Sequence, residues 1–191
     1  PYLFVSVKLD PGLAESIREV HLEAVMHQRQ DLSVLCTSGL AAIYLSDLEL
    51  PVQQGPVGDL GYITGALGLE SISRGANSAT FIDTNTTVLA ENIRRAKFQN
   101  CRILRDDFRN ALKKISSQKF DLIFSDPPYA SSFAQISANL VSELGILADA
   151  GLLVVEHGVN DILATPDNLE PVRKITYGRT TAIDIFKPKG S

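Results

Sequence analysis

At 191 residues, with 45% hydrophobic and 21% charged residues, the sequence has the composition of an ordinary globular protein and is long enough to bury a core. Its formal net charge of −4 argues against strong non-specific binding of the whole chain to nucleic acid. Two distant cysteines exclude a disulfide framework, and the lack of long apolar runs and of a signal peptide predicts a cytoplasmic protein without a membrane partner.

Secondary-structure signals divide the chain into residues 1–58 and 59–191. The first part predicts strands at 2–8, 32–36 and 41–45, and a helix at 10–27 that begins at Asp10-Pro11. From residue 59 onward strands and helices alternate. Strands are predicted to end near residues 59–60 and to cover 78–83, 102–104, 120–124, 152–155, 173–176 and 181–186, with helices at 65–73, 86–96, 108–115 and 133–144.

This alternation predicts an α/β fold, a doubly wound and mostly parallel sheet with an antiparallel hairpin at its carboxyl-terminal end. In such sheets ligands bind beyond the carboxyl ends of the strands. Each candidate site residue falls at one of those ends.

The most informative string follows the apolar strand at 120–124: Asp126-Pro127-Pro128-Tyr129. The prolines restrict the backbone and remove N–H donors, so the turn presents the Asp126 carboxylate and nearby carbonyl oxygens as acceptors. Acceptors that bind the two hydrogens of an amino group on a nucleic-acid base localise its lone pair, and Tyr129 offers a face for stacking. The string therefore favours methyl transfer to an exocyclic amine. The alternative is a strand-ending turn in which the aspartate caps a helix.

Four further positions are typical of a bound nucleotide-like cofactor. Asp59 is a candidate to contact an amino-acid group, and Gly65 would let the backbone approach a ligand. Asp83 ends a strand, and its separation along the sequence from the glycine loop is about that expected for an acid that hydrogen-bonds ribose hydroxyls. Asp107 could accept from an adenine amino group with Phe108 flanking the ring, although an aspartate there would also cap the next helix well.

Two other features accompany these positions. Glu156 and His157 follow the strand at 152–155 and are candidates to line the pocket. The stretch 94–119 carries nine basic residues against two acids, which suits a phosphate backbone if the chemistry concerns nucleic acid; solvated helix faces are the plainer interpretation.

Together the strings 65–76 (GALGLESISRGA), 81–83, 120–129 and the hairpin around Tyr177-Gly178 resemble the bacterial 16S ribosomal RNA guanine-N2 methyltransferases of the RsmD type, over about two thirds of the chain. The resemblance implies a Rossmann-like fold, S-adenosylmethionine (AdoMet) as cofactor, and a guanine in small-subunit rRNA or an assembling subunit as substrate, with the protein a monomer. It assigns Asp126, Pro127, Pro128 and Tyr129 to the target base. The cofactor would contact Asp59, Gly65, Asp83, Asp107 and Phe108.

Two departures from the family pattern leave alternatives open. Ile63 stands where the cofactor loop usually has glycine, and residues 1–58 lack the family's basic hairpin. One alternative is an enzyme that methylates adenine N6 in RNA or DNA. Another is an inactive descendant that binds RNA or protein through an impaired cofactor loop.

Overall fold

The computed structural model describes residues 33–37, 65–73, 76–129 and 131–190. The strands predicted at 2–8 and 41–45, the helix at 10–27, the strand ending near Asp59 and the position of Ile63 lie outside these residues. The described elements, in chain order, are β1 (Ser33–Thr37), α1 (Ala66–Ser73), β2 (Ser78–Asp83), α2 (Thr87–Ala96), β3 (Cys101–Arg105), α3 (Phe108–Lys114), β4 (Phe120–Ser125), α4 (Phe133–Leu144), β5 (Leu147–Gly158), β6 (Leu169–Tyr177) and β7 (Thr181–Pro188).

The seven strands form one sheet in the order β3-β2-β1-β4-β5-β7-β6. The first five are parallel, and β7 and β6 are antiparallel to their neighbours, so the predicted fold class is confirmed. The chain order reverses at β1, which pairs with β2 on one side and with β4 on the other. β1 comes from the segment 1–58, which therefore supplies a strand to this sheet; the boundary after residue 58 stays a prediction.

Both faces of the sheet are covered, as the continuous apolar strands require. All six residues of β4 are buried. Leu122 and Phe124 pack into one core cluster with residues of α1, whereas Ile123, between them, packs into a second cluster with residues of α3 and α4. Successive side chains on a strand point to opposite faces, so a strand buried on both sides is apolar at most positions; the two polar residues of β4, Asp121 and Ser125, are buried as well.

β5 is much longer than the predicted strand at 152–155, since it begins at Leu147. The extension pairs Leu147 with Phe120 across an irregular step in the ladder, and Gly151 lies where a Cβ atom would come within 2.9 Å of the Phe120 carbonyl oxygen. Aspartate and glycine have low intrinsic preference for strands, so Asp149 and Gly151 argue locally against a strand here. Pairing with β4 outweighs that preference. Similarly, β6 includes Pro171 at a register shift, which is tolerated because β6 is an edge strand.

A polar chain joins the three final strands on one face of the sheet. His157 is 1% exposed, and its Nε2 lies 2.8 Å from Asp184 Oδ2, while its Nδ1 lies 2.9 Å from the Gly158 carbonyl oxygen. Lys174 Nζ donates to the same Asp184 oxygen at 3.2 Å. Burial by itself raises the pKa of Asp184, but the hydrogen bonds from His157 and Lys174 outweigh it and hold that pKa below its ordinary value.

Replacing Asp184 by asparagine should therefore destabilise the fold by about 2–3 kcal/mol, because the buried His157 ring and Lys174 lose the carboxylate oxygen that both contact. A carboxyl with a lowered pKa contributes stability above its unfolded-state value of about 3.9 and loses it as pH falls through the folded-state value. The difference between wild type and D184N, measured by urea unfolding, should thus be full at pH 7 and shrink below about pH 4. Glu170→Gln, in the surface pair with Lys187, is the matched control and should change stability by less than about 0.5 kcal/mol. Equal effects of both variants would contradict this role.

Candidate functional site

The candidate site lies at the carboxyl rim of the parallel strands, on both sides of β1. Asp83 ends β2 on one side, and Asp126 follows β4 on the other. A reversal of strand order opens a crevice at this rim, which is where doubly wound sheets bind ligands. The topology thus places the predicted cofactor aspartate and the predicted catalytic aspartate at the same edge, on strands separated by β1.

Two buried serine hydroxyls, those of Ser125 and Ser137, hold the backbone in place where the tetrapeptide begins. Ser125 Oγ and Ser137 Oγ are 2.6 Å apart, and Ser137 Oγ donates to the Ala134 carbonyl at 2.9 Å. Since Ser137 uses its proton on Ala134, Ser125 is the donor to Ser137. These hydrogen bonds tie the end of β4 to α4 immediately before Asp126, so the backbone enters the proline turn at a defined place.

Asp126 is almost fully buried, at 5% exposure, and its Oδ2 is the one buried side-chain polar atom within the described residues that has no hydrogen-bond partner. Loss of solvation, with a smaller contribution from the charge of Glu156, raises the pKa of Asp126 well above its usual range. A buried acceptor without a partner is costly to the fold. It is also what a site needs if its partner is the hydrogen of a bound ligand.

Tyr129 is fixed by two groups from neighbouring strands. Its hydroxyl donates to Glu156 Oε1 and lies 2.9 Å from Thr181 Oγ1, which can donate in return. Burial, followed by the bond to Glu156, raises the pKa of Tyr129, so the phenol stays protonated and keeps donating. Burial also raises the pKa of Glu156, against the opposing effects of Tyr129 and His157. Glu156 of β5 and Thr181 of β7 therefore hold the hydroxyl end of the Tyr129 ring in place.

Sequence reasoning had placed Glu156 only as a lining residue and had missed Thr181. No local signal identifies Thr181, since it begins an antiparallel strand 52 residues after Tyr129. Glu156 carried a detectable signal, namely a carboxylate that follows a buried apolar run on the strand next to β4.

On the other side of the crevice, Asp83 and Gly65 have the properties expected of cofactor residues. Asp83 is 7% exposed; its Oδ1 accepts from the Asn85 amide at 2.7 Å, and burial raises its pKa. Gly65 precedes α1 with φ +77°, and a Cβ there would lie 2.4 Å from Leu89 Cδ1. Only glycine adopts this conformation without strain in that space. Asp59 lies outside the described residues.

Asp107 and Phe108 occupy the N-terminus of α3. Asp107 Oδ1 accepts from the Arg109 amide at 2.9 Å, so the capping alternative is observed, and both carboxylate oxygens also accept from the Arg109 guanidinium. The Phe108 ring meets the Phe133 ring edge-on at 5.8 Å, and Arg109 lies 5.7 Å from both ring centroids. Arg109 therefore already bonds both oxygens of the Asp107 carboxylate. Cofactor binding by Asp107 and Phe108 stays a prediction.

Several cations of the basic stretch 94–119 are paired within the protein. Arg94 and Arg95 bind Glu91, and Lys114 binds Asp106. Within the described part of the chain there is no cluster of metal-ligating side chains, and none of its helices is long and apolar enough to cross a membrane.

Comparison with known proteins places this arrangement in a family. Residues 52–185 match the family model described as "Conserved hypothetical protein 95". "Putative rRNA methyltransferase YlbH" of Bacillus subtilis is 30% identical over 134 residues, which cover 66% of this chain and 72% of that protein. "Ribosomal RNA small subunit methyltransferase D" of Escherichia coli is 33% identical over 105 residues, which cover 53% of this chain and 52% of that protein. The chain thus spans about half the length of the latter relative.

Solved structures show the same fold. The protein described as "putative methylase HI0767" from Haemophilus influenzae superposes with a TM-score of 0.68 at 22% identity, covering 92% of this chain and 98% of that one. The protein described as "Putative methyltransferase yhhF" from Escherichia coli superposes with a TM-score of 0.63 at 23% identity, covering 100% of this chain and 92% of that one. With the family model matched over most of the chain and a relative 30% identical over most of its own length, this protein belongs to the Conserved hypothetical protein 95 family of RsmD-type methyltransferases.

Proposed function

We propose that this protein transfers a methyl group from AdoMet to the exocyclic N2 amine of a guanine in small-subunit ribosomal RNA. The observation that carries the proposal is Asp126: a buried carboxylate oxygen that no described residue bonds, at the carboxyl rim of the sheet, in the turn that continues into Tyr129. Membership of the RsmD-type family supports the reaction class. The names of curated relatives support rRNA as the substrate, and the resemblance of the motifs supports guanine N2.

The residues around Gly65 and Asp83 fit AdoMet. Gly65 leaves the backbone without a side chain where α1 begins, and Asp83 presents a buried carboxylate with an oxygen left for ribose hydroxyls. Asp59, Asp107 and Phe108 complete the proposed cofactor contacts. When bound, AdoMet supplies a methyl group activated by its sulfonium.

The protein's own contribution is mainly positioning. Asp126 and the carbonyl oxygens of the proline turn accept the hydrogens of the target amine, which directs its lone pair away from the base plane. Tyr129, held at its hydroxyl by Glu156 and Thr181, provides a fixed ring on which an extruded base stacks. The proton that the amine loses after transfer passes to the Asp126 carboxylate and from there to solvent.

We further propose that the protein acts in the cytoplasm as a monomer, on rRNA within a small subunit or an assembly intermediate. The experiment that tests the function combines calorimetric titration with AdoMet and transfer of radiolabelled methyl groups to small subunits, naked 16S rRNA and duplex DNA. Micromolar AdoMet affinity with label on guanine N2 of rRNA would support the proposal. Label on adenine N6 would instead indicate an adenine-N6 methyltransferase. If the protein does not bind AdoMet, the alternative is an inactive descendant that binds RNA.

Replacing Asp83 by alanine should weaken AdoMet binding about 30- to 150-fold, because a charge-assisted hydrogen bond contributes roughly 2–3 kcal/mol at a buried site. The affinity of the folded variant is measured by calorimetry. Asp149→Ala, at an exposed aspartate of β5, is the control and should bind as the wild type does. An unchanged affinity in D83A would remove Asp83 from the cofactor site.

A further inference from the structure

Glu156 stands beside Asp126 at the end of the neighbouring strand. In the parallel pairing of β4 with β5, Ser125 lies opposite Val155, so the next residues of the two strands are Asp126 and Glu156. Adjacent strands are about 4.8 Å apart. The negative charge of Glu156 contributes to the raised pKa of Asp126, as expected for two neighbouring carboxyl groups.

The two oxygens of Glu156 have different surroundings. Oε1 accepts the Tyr129 hydroxyl, which fixes the orientation of the carboxylate. The bond from Tyr129 engages Oε1, which leaves Oε2 as the oxygen that can accept from a ligand, and Asp126 Oδ2 is buried without a partner among the described residues. The rim therefore presents carboxylate oxygens from two adjacent strands as acceptors for a ligand.

Bases differ in how they match such a pair. The Watson–Crick edge of guanine carries donors at both N1–H and N2–H, so it can bind two acceptors at once. The corresponding edge of adenine has a donor at N6 but an acceptor at N1, which would face a carboxylate at a cost. A site with one carboxylate could hold either amine. A second carboxylate next to the first selects the base with a donor at N1.

We propose that Glu156 is the specificity-determining residue of the site, and that its Oε2 accepts the N1–H of the target guanine while Asp126 accepts from the N2 amine. This inference rests on the proposed function. Tyr129 has two roles in it: its ring stacks on the base, and its hydroxyl orients Glu156. Thr181 completes the set by fixing Tyr129 from β7.

The test uses 2-aminopurine, a base that keeps the N2 amine of guanine but has an acceptor at N1. After mapping of the wild-type target, the same RNA is prepared with guanine or 2-aminopurine at that nucleotide. The wild-type protein should methylate the guanine RNA about 10- to 100-fold faster than the 2-aminopurine RNA, the range of a lost base contact.

Glu156→Gln should reverse this preference. The amide oxygen can still accept from Tyr129, while the amide NH₂ donates to N1 of 2-aminopurine and opposes the N1–H of guanine. We expect kcat/KM to fall about 10- to 100-fold on guanine RNA and to rise on 2-aminopurine RNA. Glu143→Gln, at an exposed glutamate of α4, is the matched control and should keep the wild-type preference.

Three outcomes would overturn the inference. If E156Q loses activity on both RNAs in the same proportion while its AdoMet affinity and thermal stability are unchanged, Glu156 only positions Tyr129. Wild-type protein that methylates both RNAs equally fast would exclude recognition of N1–H without any variant. Wild-type protein that methylates no guanine in rRNA at all would instead refute the proposed function, and the inference with it.

Discussion

Asp126→Ala is expected to lower kcat for methyl transfer by roughly 10²–10³-fold, the usual cost of removing one electrostatic contact made at the reacting group. AdoMet affinity should stay within about twofold, because Asp83, the proposed ribose contact, ends a strand on the other side of β1. The folded protein should be as stable as the wild type or more so. Burial, and then the charge of Glu156, raises the pKa of Asp126, so ionising it in the fold costs free energy.

The sign of the stability effect follows from proton binding. A carboxyl whose pKa is raised in the fold binds its proton more tightly than the unfolded chain does, so its contribution to stability falls as pH rises above about 3.9. Removing Asp126 removes that cost at pH 7. Single-turnover methyl transfer, calorimetry with AdoMet and thermal melting measure the three quantities, with Asp149→Ala as the control. Loss of AdoMet binding in folded D126A would contradict the separation of the catalytic and cofactor positions.

The second expected result is that kcat/KM falls at acid pH, which gives the pH–rate profile an acid limb. Only the ionised Asp126 accepts both hydrogens of the amine well, so kcat/KM should rise tenfold per pH unit up to an apparent pKa above the ordinary aspartate value. In the complex, donors of the bound base stabilise the carboxylate. The limb of kcat should therefore lie at lower pH than the limb of kcat/KM.

Glu156 provides the internal check on this profile. Removing its charge with Glu156→Gln leaves burial as the cause of the raised pKa of Asp126, so the limb of kcat/KM should move to lower pH. Because the two carboxyls interact, the profile reports the pair and not one residue alone. Glu143→Gln should leave the limb in place. A limb that moves to higher pH in E156Q, or an acid limb that is missing in the wild type, would refute the pairing.

Local patterns were sufficient for the elements between residues 65 and 144. β2 and α4 have the predicted bounds, α2, α3 and β4 differ from prediction by one residue at one end, and β3 is one residue longer at each end. These elements are strongly apolar, amphipathic or bounded by glycine and proline, so short-range preferences and burial agree. The same agreement placed Asp83 and Asp126 correctly at strand ends.

Pairing between distant residues decided what local preference could not. The length of β5 depends on its ladder with β4, and the proline in β6 is acceptable only because that strand is at an edge. Asp107, which the sequence offered either to the cofactor or to a helix cap, is observed in the cap and in a pair with Arg109. A single sequence window does not contain the partner strand, so the length of β5 and the edge position of β6 were not accessible from it. Asp107 was left open for another reason, since both roles suit an aspartate that precedes a helix.

The sequence by itself determined the fold class, the family and the positions of Asp83 and Asp126 at the rim, because strand ends and the Asp-Pro-Pro-Tyr string are local features. Only the tertiary structure decided what surrounds them. It placed a strand from residues 33–37 in the centre of the sheet, joined Tyr129 to Glu156 and Thr181, and set Glu156 beside Asp126. The physical reason is that hydrogen-bonded register brings together side chains far apart in the chain, and burial then determines which of them keep a proton or lack a partner.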